Sequence, residues 1–187
     1  DGLMVSNLDS LVKAVWVSKG TYTPVYDNTF KPNPSPLSKV TFAVKRRTKL
    51  YGGFAGNETD LGQRNISANQ TILNGFFTDA LGSQYRAESV IKVTNNDSLN
   101  SIDGFTVMNG YGSYTYGGGG ISMTSARMTV SNCRFINNLG SAIENIFGSL
   151  SVTNCYFSGN DALYGAGINN TSSLGADISD CDFVNNV

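Results

Sequence analysis

Histidine is absent from the 187 residues, and with it go the Ser-His-Asp, Cys-His and two-histidine-one-carboxylate arrangements of many hydrolases and non-haem iron enzymes. Charge is scarce as well. Asp, Glu, Lys and Arg make up 14% of the chain and the formal net charge is -1, which argues against a nucleic-acid partner. No run of about 18 apolar residues occurs, so no transmembrane span is expected. The three cysteines show no Cys-x-x-Cys spacing, and without histidine nothing completes a zinc shell, so no metal and no other cofactor is expected. The length suits one domain. The composition, with 21 glycines and few charges, is that of an extracellular protein.

Against these absences stands a repeat. Residues 128–138 (MTVSNCRFINN), 150–160 (LSVTNCYFSGN) and 176–186 (ADISDCDFVNN) are three copies of one pattern, with Cys133, Cys155 and Cys181 spaced by 22 and 26 residues and Phe135, Phe157 and Phe183 likewise. A period in this range is the signature of a solenoid or array. A second motif travels with it: Gly120-Ile121-Ser122, Ala142-Ile143-Glu144 and Gly167-Ile168-Asn169 precede Val130, Val152 and Ile178 by nine or ten residues. Each coil therefore holds at least two strands. The segments are too short and too rich in Asn, Gly, Ser and Thr for paired helices, and staggered Val, Ile, Phe and Cys suit short strands with one face inside. Parallel stacking at about 4.8 Å would turn the repeated Cys and Phe into interior columns. Asn138, Asn160 and Asn186 would form a ladder of side-chain amides at a turn.

The frame extends backwards. Residues 102–110 (IDGFTVMNG) place Ile102, Phe105 and Val107 opposite Val130, Cys133 and Phe135, as a coil without cysteine. Residues 90–94 and 71–75 read as further strands, and 40–44 with 49–54 as a wider, less regular coil. The fold expected is an all-β, right-handed parallel β-helix of about five coils in one domain over 1–187. Residues 1–75 would hold an irregular N-terminal cap and the first coils, and 76–187 the regular coils.

Residues 16–24 (WVSKGTYTP), with a strand and a Gly-Thr-Tyr turn, and 50–59 (LYGGFAGNET) followed by Arg64 and 71–75 (TILNG) resemble a known family. It comprises the right-handed parallel β-helix proteins of Bacteroidetes surface and secreted type, related to polymorphic outer-membrane-protein repeats. The resemblance implies a cell-surface or extracellular location, export by a type IX system, and a larger multidomain protein. In that family an amphipathic helix follows the opening Asp-Gly. Here Asp1-Gly2 is followed only by Leu8, Leu11 and Val12 before Trp16, which predicts a short capping helix over the first coil's strand edge. The last repeat runs to Asn185-Asn186-Val187, so an uncapped C-terminal end is expected, covered by a continuation of the chain or by a capping partner protein.

The cysteines all occupy one repeat position, where stacked side chains point the same way and disulfide geometry is not met, so they read as buried thiols acting as small hydrophobes. No catalytic residue is assigned. Asp180 and Asp182 flank Cys181 and face outward. Their stacked equivalents are Asn132 and Arg134, then Asn154 and Tyr156, so no second acid recurs to make a carboxylate cluster, and solvated surface side chains are the expectation. Asp103 falls at a turn.

Recognition has a better candidate in residues 109–117 (NGYGSYTYG), which insert Tyr111, Tyr114 and Tyr116 between two coils, with Tyr164 near the matching place two coils later. Such tyrosines either stack on sugar rings or a protein partner, or pack back on the coil wall. The basic run 45–49 (KRRTK) reads as a solvated turn, or as a contact for an acidic glycan or lipid phosphate. Gly117 to Gly120 lack the helix and lysine of a phosphate loop and read as a tight backbone turn. Asn57, Asn65, Asn69, Asn96 and Asn170 open Asn-x-Ser/Thr sequons, weak signals in so Asn-rich a chain. Asp9-Ser10-Leu11 and Asp97-Ser98-Leu99 resemble the O-glycosylation motif of the same bacteria, with Ser98 placed in a turn.

These readings converge on a non-catalytic segment of a secreted or cell-surface bacterial protein, an adhesin-like stalk or binding surface with glycans among its ligands. The alternatives are a carbohydrate-active β-helix enzyme (polysaccharide lyase or glycoside hydrolase), a glycan-binding module, or a subunit of an outer-membrane or envelope complex.

Overall fold

A computed structural model describes residues 14–45, 47–112 and 117–187, and only the backbone at 95–98. The expected N-terminal capping helix lies outside the described residues. Among them the strands are β1 (Val15–Ser18), β2 (Gly20–Tyr22), β3 (Phe42–Val44), β4 (Lys49–Phe54), β5 (Thr71–Asn74), β6 (Phe76–Thr78), β7 (Gln84–Arg86), β8 (Ile91–Asp103), β9 (Phe105–Met108), β10 (Gly118–Ser131), β11 (Arg134–Ile136), β12 (Ser141–Ile146), β13 (Ser149–Thr153), β14 (Tyr156–Ser158), β15 (Ile168–Thr171), β16 (Gly175–Ser179) and β17 (Asp182–Val184). The only helical pieces among the described residues are two single 3-10 turns, Leu37–Lys39 and Leu61–Gln63. None of the described helices is long and apolar enough to cross a membrane.

The protein is mostly β, with parallel strands in curled sheets. One sheet runs β2-β5-β9-β11-β14-β17, and a larger one runs β1-β4-β8-β10-β12-β15 with β3, β13 and β16 attached. The first holds six strands, and the Gly-Thr-Tyr segment is one of them, paired with Thr71–Leu73 rather than forming a turn. Between strands of successive repeats the register is residue on residue: Val130 opposite Val152 and then Ile178, Ile121 opposite Ile143 and then Ile168, Phe135 opposite Phe157 and then Phe183.

Residue-on-residue pairing makes the core a set of columns. Phe135, Phe157 and Phe183 stack nearly flat, with centroids 4.9 and 4.6 Å apart and planes within 7° and 5°. Burying Phe135 and Phe157 contributes about 1.5–3 kcal/mol each, whereas Phe183, in the last strand, is 48% exposed. Beside them, each cysteine thiol points at the carbonyl two residues earlier, Cys133 at Ser131 (3.1 Å) and Cys155 at Thr153 (3.3 Å). Asn138 and Asn160 are completely enclosed, yet every polar atom of their amides is used. Asn160 Oδ1 accepts from the backbone N–H and the Nδ2 of Asn138 (3.1 and 3.0 Å), while its own Nδ2 donates to the Phe135 carbonyl (3.0 Å). Asn186 repeats this for Asn160 at 3.1 and 2.8 Å. The amide oxygens therefore take backbone N–H groups at a corner, where the strand ladder has stopped and a buried N–H would otherwise be orphaned, and each Nδ2 adds a bond to a carbonyl of a neighbouring strand.

The corners have their own columns, of residues in the left-handed region. One holds Asn137, Gly159 and Asn185 (φ 53°, 64° and 53°), another Asn132, Asn154 and Asp180 (53°, 53° and 52°), a third Ser125, Phe147 and Ser172 (47°, 56° and 48°). Asn and Gly adopt this conformation at little cost. The paired asparagines of the repeat thus divide the labour: Asn137 makes the bend and Asn138 fills the interior. Phe147, bulky and exposed, is the exception at its corner.

Regularity is poorest before β8. Both β3 and β4 pair with β8, Phe42 opposite Ile91 and Leu50 opposite Ile102. An antiparallel hairpin, β6 with β7, follows residue 75. Its turn is held by Asp79 Oδ1, which accepts from the N–H groups of Leu81 (2.9 Å) and Ser83 (2.8 Å).

Two stability changes are predicted. Phe157→Ala should cost about 3–5 kcal/mol in urea unfolding, since it removes the middle ring of three; a loss below about 1 kcal/mol would contradict the stacked column. Phe147→Asn should raise stability by roughly 0.5–1 kcal/mol, because asparagine tolerates the left-handed region better than phenylalanine.

Candidate functional site

The outer face of the six-stranded sheet carries a groove of about 420 Å³. Its floor is one outward column, Thr106, Arg134, Tyr156 and Asp182, placed there because strand residues alternate and Phe135 and Phe157 take the inward positions. The Arg134 guanidinium lies over the Tyr156 ring, 4.7 Å from its centroid. Along one side run Asn132, Asn154 and Asp180, residues of a left-handed corner column.

That side is braced by a chain of hydrogen bonds. Arg64 Nη2 donates to Asp103 Oδ1 (2.8 Å), Asn132 Nδ2 donates to the same oxygen (3.0 Å), and Asn154 Nδ2 donates to Asn132 Oδ1 (2.7 Å). The Arg64–Asp103 pair is only 15% exposed on each side, so it is screened little by solvent. Arg64 belongs to the segment 55–70, whose polar residues hold its own backbone. Glu58 accepts the N–H groups of Ala55, Gly56 and Asn57, which keeps its carboxyl below the ordinary range. Asp60 and Gln63 form a reciprocal cap around one 3-10 turn. The segment then places Ile66, Ser67 and Gln70 as the groove's N-terminal wall. Asp103 thus serves as an ion-pair and amide acceptor rather than a solvated turn residue. Asp180 and Asp182, both exposed, share the groove with Arg134 and Tyr156. No side-chain hydrogen bond engages either carboxylate among the described residues.

The tyrosine loop is described only in part. Tyr114 and Tyr116 lie outside the described residues. Tyr111 is exposed, with Arg86 6.0 Å over its ring, and Tyr164 is equally exposed, its carbonyl accepting from Ser141 Oγ (3.1 Å). Tyr111 bridges to Leu139, which bridges to Asp161, so Tyr164 sits beyond the same corner two repeats on. Neither tyrosine lines the groove. The glycines after the loop do not make a turn: Gly118–Gly120 begin β10, and a side chain on Gly119 would meet the Leu139 carbonyl at 2.2 Å. Beneath them Glu144 is buried, 4% exposed, and accepts the Gly118 N–H (3.2 Å). Burial pushes its carboxyl up, against the opposing effect of hydrogen bonds from Gly118, Ser122 and Gly117.

The remaining candidates scatter. Ser10 lies outside the described residues. The backbone of Ser98 is inside β8 rather than in a turn, at an irregularity where Asn96 is opposite Ala126 but Leu99 opposite Arg127, leaving two residues unpaired. In the basic run Lys45 is half-buried, its Nζ donating to the Asn28 carbonyl (2.7 Å) and sitting 4.6 Å over the Phe30 ring. Cys133, Cys155 and Cys181 are thiols, and burial pushes Cys133 well above the usual thiol range. Among the described residues no three His, Cys, Asp or Glu side chains converge as metal ligands. A larger hollow, about 480 Å³, is walled by core-facing residues of the first strands, including Val15, Leu50, Leu73 and Phe105, and continues the interior rather than the outer face. Comparison with known proteins adds no assignment: no family model, no curated protein and no solved structure matches the chain.

Glu144→Gln should raise stability at about pH 7, because it keeps an acceptor for Gly118 and removes a desolvated charge. A carboxyl raised in the folded state binds its proton more tightly there than in the unfolded chain. The wild type therefore gains stability as pH falls through the raised pKa towards the ordinary carboxylate value, and the gap between variant and wild type should close. Urea midpoints at about pH 7 and about pH 4.5 check this, a gap that stays constant or widens on acidification being the contrary result.

Proposed function

We propose that the chain is a right-handed parallel β-helix segment of a secreted or cell-surface bacterial protein of the Bacteroidetes type, acting as a non-catalytic, adhesin-like stalk or binding surface. The observation that carries the reading is the contrast between the two sides of one sheet. Inward positions repeat as columns of Phe, Cys and Asn, whereas the outward column changes at every step, Thr106, Arg134, Tyr156, Asp182. A stack whose interior repeats is rigid and extendable; an outer face that does not repeat is released from the stacking constraint and can be shaped for a ligand. The resemblance over 16–24 and 50–75 supports the surface location.

A second reading, a carbohydrate-active enzyme, draws on the groove's placing of Asp180 and Asp182 with Arg134. Paired acids, or a basic residue acting with calcium, are the groups such chemistry uses. A lyase would release unsaturated uronate products in the presence of calcium, which a stalk or binding surface would not.

Surface location is tested on intact cells of the native source treated with a protease that does not enter them. The proposal expects an epitope in this chain to be lost from intact cells while a cytoplasmic marker survives. Loss only after lysis would overturn it.

A further inference from the structure

We infer that the groove over Thr106, Arg134, Tyr156 and Asp182 binds an uncharged glycan chain lying along the stacking direction, in preference to a polyuronate. The inference rests on the reading of the chain as a binding surface and names the ligand of that surface.

Three features of the groove carry it. Its floor offers a stacked pair, the Arg134 guanidinium covering one face of the Tyr156 ring at 4.7 Å and leaving the ring edge and hydroxyl beside it. An aromatic ring with a polar edge suits the apolar face and hydroxyl rim of a sugar. Its side presents amides at strand spacing, about 4.8 Å. Asn132 and Asn154 are already oriented by the chain from Arg64 and Asp103, so ordering them on binding costs little entropy. Asn154 is exposed, and its Oδ1 accepts no hydrogen bond among the described residues. The acceptors left open along that side, Asn154 Oδ1 and the Asp180 carboxylate, are one strand spacing apart, within reach of the hydroxyls of successive units of a linear polymer.

Charge decides between sugar classes. Arg64 and Asp103 neutralise one another at 2.8 Å. The open groups left are one cation, Arg134, against two carboxylates, Asp180 and Asp182. A polyuronate would set its own carboxylates against that excess of negative charge, with the single guanidinium held against a ring. An uncharged chain meets no such repulsion, and the carboxylates accept its hydroxyls.

The test is isothermal titration of the full chain with cellohexaose, mannohexaose and hexagalacturonate, repeated with Tyr156→Ala, Arg134→Ala and, as a control outside the groove, Tyr111→Ala. Circular dichroism and melting of each variant establish that the altered outward side chain leaves the stack folded. The expected result is binding of at least one neutral hexasaccharide, weakened about tenfold or more by Tyr156→Ala and unchanged by Tyr111→Ala. Tighter binding of hexagalacturonate would overturn the inference and favour the lyase reading. Binding lost with Tyr111→Ala but kept with Tyr156→Ala would overturn the groove while leaving a glycan-binding surface. No binding of any of the three would overturn the inference, and the protease experiment on intact cells would still judge the surface reading separately.

Discussion

Each repeat must lay its backbone one strand spacing above the last, in register, and this requirement governs where every other residue type can go. Parallel pairing of Val130 with Val152 and Ile178 fixes the neighbouring positions as well, so Phe157 must lie over Phe135 and Asn160 over Asn138. Identical rings then meet as flat stacks at 4.6–4.9 Å, a spacing dictated by the backbone rather than chosen by the rings. The corners are subject to the same rule. A bend made by one left-handed residue is reproduced in the next repeat by another, which is why Asn132, Asn154 and Asp180 share φ within a degree.

The buried amides show which effect wins where polarity enters such an interior. Enclosing an unpaired amide costs roughly 1–3 kcal/mol, comparable to burying a phenylalanine ring. An apolar residue at 160 would escape that cost but leave the Asn138 N–H without its partner, at a corner where no strand bond replaces it, and remove the amide that bonds the Phe135 carbonyl inside β11. Asparagine has both a donor and an acceptor at the right reach and meets both needs. Out of register the amides would find no partners, so the ladder also penalises slippage. The interior is less well satisfied at Asn145, whose Nδ2 donates to Asn170 (2.7 Å) and Gly148 (3.2 Å) while its Oδ1, completely enclosed, has no partner among the described residues.

The columns were legible in the sequence because periodicity is written there. Cys133, Cys155 and Cys181 with their phenylalanines place three strands without any knowledge of the structure. The corner role of Asn137, Gly159 and Asn185 is not legible, although the same alignment holds it, since two adjacent asparagines give no sign of which one bends and which one is buried. The hairpin of β6 and β7 was missed because it occurs once, leaving a turn of Asp79 and Gly82 as its only signal. The groove was harder still. Only Asp180 and Asp182 drew attention in the sequence, and only for catalysis. Arg134 and Tyr156 entered as their non-acidic equivalents, although non-repetition on an outward column is what a binding face looks like. Arg64 and Asp103 are far apart in the chain and joined only by the fold. The tyrosines of 109–117 carried the more visible sequence signal, but Tyr111 and Tyr164 lie outside the groove.

Stacking in register stands or falls with the interior amide ladder, and hydrogen exchange of its side chains reads that ladder. Followed by NMR, the Nδ2 protons of Asn138 and Asn160 should exchange as slowly as the backbone amides of β11 and β14, since they open only when those strands do. Exchange of these side-chain protons at the rate of the exposed Asn57, while the strands remain protected, would mean that the amides face water and that the stacked interior is wrong.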